Sequence, residues 1–236
     1  AKTEGVATGF ITNMKTWLRP GALAHYIANQ GMVAFVINNG GKPMVAPPGG
    51  YDPTLGTNPI GIGVPTAKEP IIVDMATSKR AWGEVRKAKR ENSNLPKDSY
   101  YTNTGTFAVK PEDAYSAVPM GDYKGFALGL FIEIMTGSFL GREMAKNLSG
   151  DSIEKSDAQS VTRGAMILVF NPAATTNVEQ FKKSNSELIQ RIKESHALPG
   201  FEEIYIPGEH ALKKRARNIK NGYLEVDETL WRNITG

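Results

Sequence analysis

The chain has 236 residues, 40% of them hydrophobic and 22% charged, enough to bury a core without covalent staples. Its 28 Lys and Arg against 24 Asp and Glu leave a formal net charge of +4, too small an excess to mark a nucleic-acid binder. The absence of cysteine excludes a disulfide framework, a zinc finger and a thiol nucleophile, and the three histidines, His25, His196 and His210, argue against a His-rich metal site. A globular protein with small-molecule chemistry is expected.

The opening Ala-Lys-Thr-Glu-Gly-Val-Ala has no initiator Met, no apolar signal region and no transit pattern. A cytoplasmic setting is expected, and the missing Met reads either as routine removal or as a chain that begins inside something larger. Residues 6–12 read as a strand. Pro20 opens a helix through Gln30, which Gly31 closes. A second apolar strand over 33–37 runs into the turn cluster Asn-Asn-Gly-Gly at 38–41. The Pro- and Gly-rich stretch 42–58 reads as an ordered loop, followed by strands over 60–64 and 71–73. A helix is predicted from Thr77 to Arg90, with Asp74, Thr77 and Ser78 as candidate caps. Residues 93–110 read as a polar surface excursion.

A helix over 123–140 is apolar on nearly every face and belongs in a domain centre or at a subunit interface. Its apolar run, 126–140, is broken by Glu133 and falls short of the ~20 residues that cross a membrane. Residues 165–170 form a buried-type strand closed by Asn171 and Pro172. The stripe Val178, Phe181, Leu188 and Ile192 marks a surface helix over 177–195. A basic helix follows over 209–221, stopped by Asn221 and Gly222. Asp227 is expected to cap a last turn carrying Leu230 and Trp231.

No Rossmann glycine fingerprint, phosphate-binding glycine loop, zinc-protease motif or serine-nucleophile elbow occurs. Gly-Thr-Asn-Pro at 56–59 reads as a turn leading into a strand. Val-Asp-Met-Ala-Thr-Ser at 73–78 joins a strand to a helix, where Asp74 either caps the helix or accepts bonds from ribose hydroxyls. In Pro-Met-Gly-Asp-Tyr-Lys-Gly at 119–125, Lys124 stands at a helix start. A cation there is unfavourable unless an anion lies between, so Lys124 is expected to meet a phosphate. The basic helix carrying Lys213, Lys214, Arg215, Arg217 and Lys220 reads as a solvated cationic face. His25 reads as a core histidine and His196 as a cap.

In their order, Pro-Gly-Gly at 48–50 and the motifs at 56–59, 73–78, 123–125 and 207–209 resemble the type-2 malate/L-lactate dehydrogenase family along essentially the whole chain. Within it, Trp-Leu-Arg-Pro-Gly at 17–21, Pro-Met-Gly at 119–121 and Val-Asp at 226–227 look similar to the 2,3-diketo-L-gulonate reductase branch. The resemblance implies an α/β fold of α+β character. It is a non-Rossmann fold with a large, mostly antiparallel sheet and packed helices. Residues 1–236 would form its cofactor-binding and C-terminal part without an internal boundary, working as a homodimer.

The implied chemistry is hydride transfer between NAD or NADP, NADH preferred, and the carbonyl of a small 2-oxo acid, with no metal, membrane or nucleic acid involved. Ile71, Ile72, Val73, Asp74, Met75 and Ala76 would line the cofactor, with Asp74 near a ribose. Tyr123 and Lys124 would hold its phosphate region, and Gly208, Glu209 and His210 would close over it. Arg19 is the candidate for the substrate carboxylate, because a planar guanidinium suits bidentate recognition.

Two departures follow from the same resemblance. Family members carry a further segment upstream, with a Ser-His-Gly motif whose His is the proposed proton donor. Many also have a His within 13–21, where Thr16 stands here, and a Thr has no titration near neutral pH. The expectation is a cofactor-binding portion without its acid. It would be a fragment, one half of a split enzyme with a separate N-terminal chain, or a catalytically silent dinucleotide-binding subunit.

Overall fold

A computed structural model describes residues 1–14, 19–40, 42–142 and 163–235. The chain runs through β1 (Val6–Met14), α1 (Pro20–Asn29), β2 (Val33–Asn38), β3 (Ile60–Val64), β4 (Ile71–Met75), α2 (Gly83–Glu91), β5 (Tyr100–Tyr101) and β6 (Ser116–Ala117). It continues with α3 (Tyr123–Thr136), β7 (Arg163–Phe170), α4 (Val178–Lys193), α5 (Glu209–Asn221) and α6 (Glu228–Thr235). Five strands form one sheet in the order β1-β7-β2-β3-β4, each neighbouring pair antiparallel. That is the antiparallel α/β architecture expected.

The sheet lies between two helices because its strands alternate. On β2, Ala34 and Val36 face α1 with Ala24, while Ile37 packs with Ile60, Met166 and Ile132 of α3. Gly61 and Gly63 of β3 let α1 lie directly on the sheet. A Cβ at Gly61 would come within 2.6 Å of the Pro20 carbonyl carbon, and one at Gly63 would strike the Ala24 carbonyl oxygen. Arg19 and α1 are thereby pressed against the strand that leads to the site.

Four expectations need correction. Asn38 ends β2 and Asn39 is fully buried, its Oδ1 accepting from the Gly164 N–H, so 38–40 is no surface turn. The helix predicted from Thr77 begins at Gly83 instead, and β4 runs on through Asp74. Tertiary backbone bonds win over the local cap signal. The Thr77 N–H donates to the Thr57 carbonyl at 2.9 Å, its carbonyl accepts from Met120 N–H at 2.8 Å, and the Lys79 N–H donates to Val118. The Thr77 hydroxyl also donates to the Thr57 carbonyl, and that of Ser78 to the Arg80 carbonyl, so neither caps a helix.

Residues 93–110 are no mere surface excursion. Leu95, Tyr100 and Ala108 join Met44, Val45, Val85, Ala88 and Ala117 in a second core, closed by Trp82 edge-on to Tyr100. Burial holds the Tyr100 phenol up at about 12, and its hydroxyl donates to the Ala81 carbonyl. The fourth correction concerns α3, which ends at Thr136 and gives way at Gly137 to a 3-10 turn over Ser138–Leu140. Among the described residues no helix is long and apolar enough to cross a membrane.

Candidate functional site

The site is built where the end of β4, the start of α1 and the loop before α5 meet. The Arg19 side chain reaches over from the residue before α1, and its Nε lies 2.8 Å from Asp74 Oδ2. On the other side of β4, the Ile72 N–H donates to the Pro207 carbonyl at 3.1 Å. Gly208 sits there at φ +90, where a Cβ would come within 2.8 Å of both Ile72 Cβ and its carbonyl oxygen. A glycine is required by both backbone angle and space.

Between these elements lies a cavity of about 650 Å³ whose lining includes Arg19, His25, Ile72, Val73, Asp74, Met75, Gly208 and His210. A second cavity of about 690 Å³ shares Arg19, His25, Ala211 and Leu212 with it and continues along α5 past Lys214 and Arg215 to Tyr223. His25 is the residue that sequence reasoning missed. The expected core histidine is instead half-buried on α1 and lines both cavities. Its Nε2 lies 3.1 Å from the Nδ2 of Asn29, one turn further along α1.

The loop that closes the first cavity is held by charge. Glu209 accepts from Lys193 of α4 at 2.7 and 2.8 Å and from the Ile206 N–H at 3.1 Å. The Lys193 bond foremost, with the Ile206 N–H, draws its carboxyl down to about 2. Glu209 is therefore a tether, outside the cavity lining. Beside it, the His210 ring stacks on Tyr205 with centroids 3.6 Å apart, and Lys213 lies over the same tyrosine ring. Hydrogen bonds from Tyr205 and Lys213 lower the Glu203 carboxyl, and the bond to Glu203 raises the Tyr205 phenol.

A group whose folded pKa is depressed contributes stability that is whole above its unfolded value and fades as pH falls towards the folded one. The stability difference between the parent chain and Glu209→Gln should therefore be full above about pH 5 and shrink towards zero near pH 2. Denaturant titrations at several pH values measure it. A difference that is flat with pH would remove the tether from the account.

The predicted residues divide. Arg19, Ile72, Val73, Asp74, Met75, Gly208 and His210 come together around one cavity, flanked along the chain by Ile71 and Ala76. Tyr123 and Lys124 do not join them; both are exposed at the start of α3. The residues before them are tied to the segment after β4 through the Thr77 carbonyl, which takes the Met120 N–H, and through the Val118 carbonyl, which takes the Lys79 N–H. Thr16 lies outside the described residues. His196 is exposed two residues beyond the actual C-cap of α4, Glu194, and does not cap it. Among the described residues no cluster of His, Asp and Glu could hold a metal ion.

The model of the malate/L-lactate dehydrogenase family matches residues 1–235. The chain belongs to that family. L-sulfolactate dehydrogenase of Methanothermobacter thermautotrophicus is 32% identical over 207 residues, covering 87% of this chain and 58% of that protein. The NAD(+) ureidoglycolate dehydrogenase of Escherichia coli K12 is 26% identical, over 97% of this chain and 65% of its own length. The solved sulfolactate dehydrogenase of Methanocaldococcus jannaschii superposes with a TM-score of 0.83 at 30% identity, covering 98% of this chain and 65% of that one. The chain thus spans 58% and 65% of the lengths of these two curated relatives.

Proposed function

We propose that this chain is the nicotinamide-dinucleotide-binding portion of an oxidoreductase that interconverts a small 2-oxo acid and its 2-hydroxy acid. The observation that carries the reading is the cavity at the end of β4, where the Arg19–Asp74 pair, His25 and the Gly208 loop converge. Its donor set suits a dinucleotide. Apolar Ile72, Met75 and Leu212 offer surface to flat rings, and Asp74 and Arg19 offer an acceptor and a donor fork. The bound cofactor would supply the hydride, and the chain's residues would orient it and exclude water.

Arg19 uses Nε on Asp74, which leaves its terminal nitrogens for a carboxylate. Asp74 thereby fixes the guanidinium as well as offering an oxygen to a ribose. Arg19→Ala should raise KM for an acidic substrate roughly ten-fold or more, with little recovery in Arg19→Lys. An unchanged KM in an active preparation would sink that assignment. The substrate class is drawn from the family's description and the relatives' names. The diketogulonate branch within it rests only on the stretches at 17–21, 119–121 and 226–227. A cytoplasmic setting, where dinucleotide and small acids are pooled, belongs to the same proposal.

The partner is a second copy. Leu128, Phe131 and Ile134 of α3 stay exposed, and Phe139 in the following 3-10 turn packs at a tilt against Phe10 of the edge strand β1, itself exposed. One apolar face thus runs from α3 to the sheet edge, as a homodimer interface requires.

The deciding experiment is a calorimetric titration of the chain with NADH and NADPH, alongside Lys124→Ala. Micromolar binding supports the reading, and loss of it in Lys124→Ala would bring the α3 start into the phosphate site. A folded chain that binds neither nucleotide overturns it. Binding without turnover of any 2-oxo acid would favour the silent-subunit reading, in which the acid comes from elsewhere or not at all.

A further inference from the structure

The cavity along α5 is lined by two cations, Lys214 and Arg215, that form no ion pair among the described residues. Lys213 is paired with Glu203 at 3.0 Å and Glu209 at 3.4 Å, but the next two residues differ. Among the described residues Lys214 and Arg215 make no ion pair, and no carboxylate lines the cavity they face. Asp74, which lines the adjoining cavity, is already bound to Arg19. Beyond the cations the wall turns apolar: Ile219, Tyr223 and Leu224 line it while remaining more than half exposed.

Selectivity for a bare ribose diol calls for a free carboxylate to accept its two hydroxyl protons. Selectivity for a 2′-phosphate calls for cations without one. An uncompensated Lys–Arg pair beside an exposed aromatic wall has the chemistry of an adenosine bearing an extra phosphate. We infer that the α5 cavity receives the adenosine 2′-phosphate of the cofactor through Lys214 and Arg215, so that the chain prefers NADPH. This rests on the dinucleotide reading above and reverses the preference for NADH drawn from the sequence.

The test compares NADPH, NADH, adenosine 2′,5′-bisphosphate and 5′-AMP by calorimetry, on the parent chain and on Lys214→Ala, Arg215→Ala and their double variant. Both residues are exposed on α5, so the fold should survive their loss. NADPH should bind at least ten-fold more tightly than NADH, and the bisphosphate more tightly than 5′-AMP. Each substitution should reduce the NADPH-to-NADH ratio roughly three-fold or more, and the double variant should bring it near one. Equal binding of NADH and NADPH by the parent chain, or a ratio the double variant leaves intact, overturns the inference while leaving a dinucleotide site in place. Failure of a folded chain to bind either dinucleotide removes both the reading and the inference.

Discussion

Asn58→Ala should destabilise the fold by about 3–5 kcal/mol, among the largest effects of any single polar substitution here. Asn58 is fully buried. Its Oδ1 accepts from the Gly40 N–H at 2.8 Å, and its Nδ2 donates to the Gly129 carbonyl at 2.8 Å and to Glu133 Oε2 at 2.9 Å. Alanine would leave the half-buried Gly40 N–H without this acceptor and take one hydrogen bond each from the Gly129 carbonyl and from a carboxylate that is 1% exposed. The backbone adds to the cost, because Asn58 sits at φ +36, a region that asparagine tolerates better than alanine. Urea or guanidinium unfolding gives the number. A loss below about 1 kcal/mol would mean that water replaces the amide, and the clamp between 56–59 and α3 would lose its importance.

Gly63→Ala should cost about 3 kcal/mol and weaken dinucleotide binding as well. The new methyl would press on the Ala24 carbonyl and lie 3.1 Å from Ala28 Cβ, so α1 would have to lift from the sheet. Lifting α1 carries Arg19 away from Asp74 and turns His25 out of the cavity, which couples a packing defect to the site. Gly83→Ala is the control. It adds the same methyl at the first residue of α2, where nothing lies within 4 Å, and should be neutral or slightly stabilising. Equal effects of the two substitutions would contradict the close approach of α1 to β3.

Much of the fold was readable from local pattern. The apolar runs of β2, β3 and β7 and the stripe of α4 announce themselves because strand and helix periods differ. Gly222, at φ +74, stops α5 where expected. The segment after β4 was not readable, because Asp, Thr and Ser before a charged helix are also what an N-cap looks like. Its conformation is decided by backbone bonds to Thr57, Val118 and Met120, which no window of neighbouring residues contains. The site divides in the same way. β4 and the Pro-Gly-Glu loop were found through a whole-chain resemblance, and the structure sets most of their residues around one cavity. His25 was passed over because its neighbours in sequence are apolar, whereas its direction depends on how α1 crosses β3. Lys124 stands exposed at the start of α3, where solvent makes a cation inexpensive without any anion.

The two walls of the cavity belong to different thermodynamic populations. The β4 wall is part of the central sheet and shares its cooperative unfolding. The opposite wall is α5, which, like α4, has no buried residue and is attached through the Ile72–Pro207 bond and the Lys193–Glu209 tether. Such a wall opens by local fluctuation at a small fraction of the global unfolding free energy. A ligand spanning both walls must therefore order one of them as it binds, which lowers its affinity and speeds its departure. On the proposed dinucleotide reading, a loosely hinged wall would set the residence time of the ligand, and the sheet behind it can remain rigid throughout.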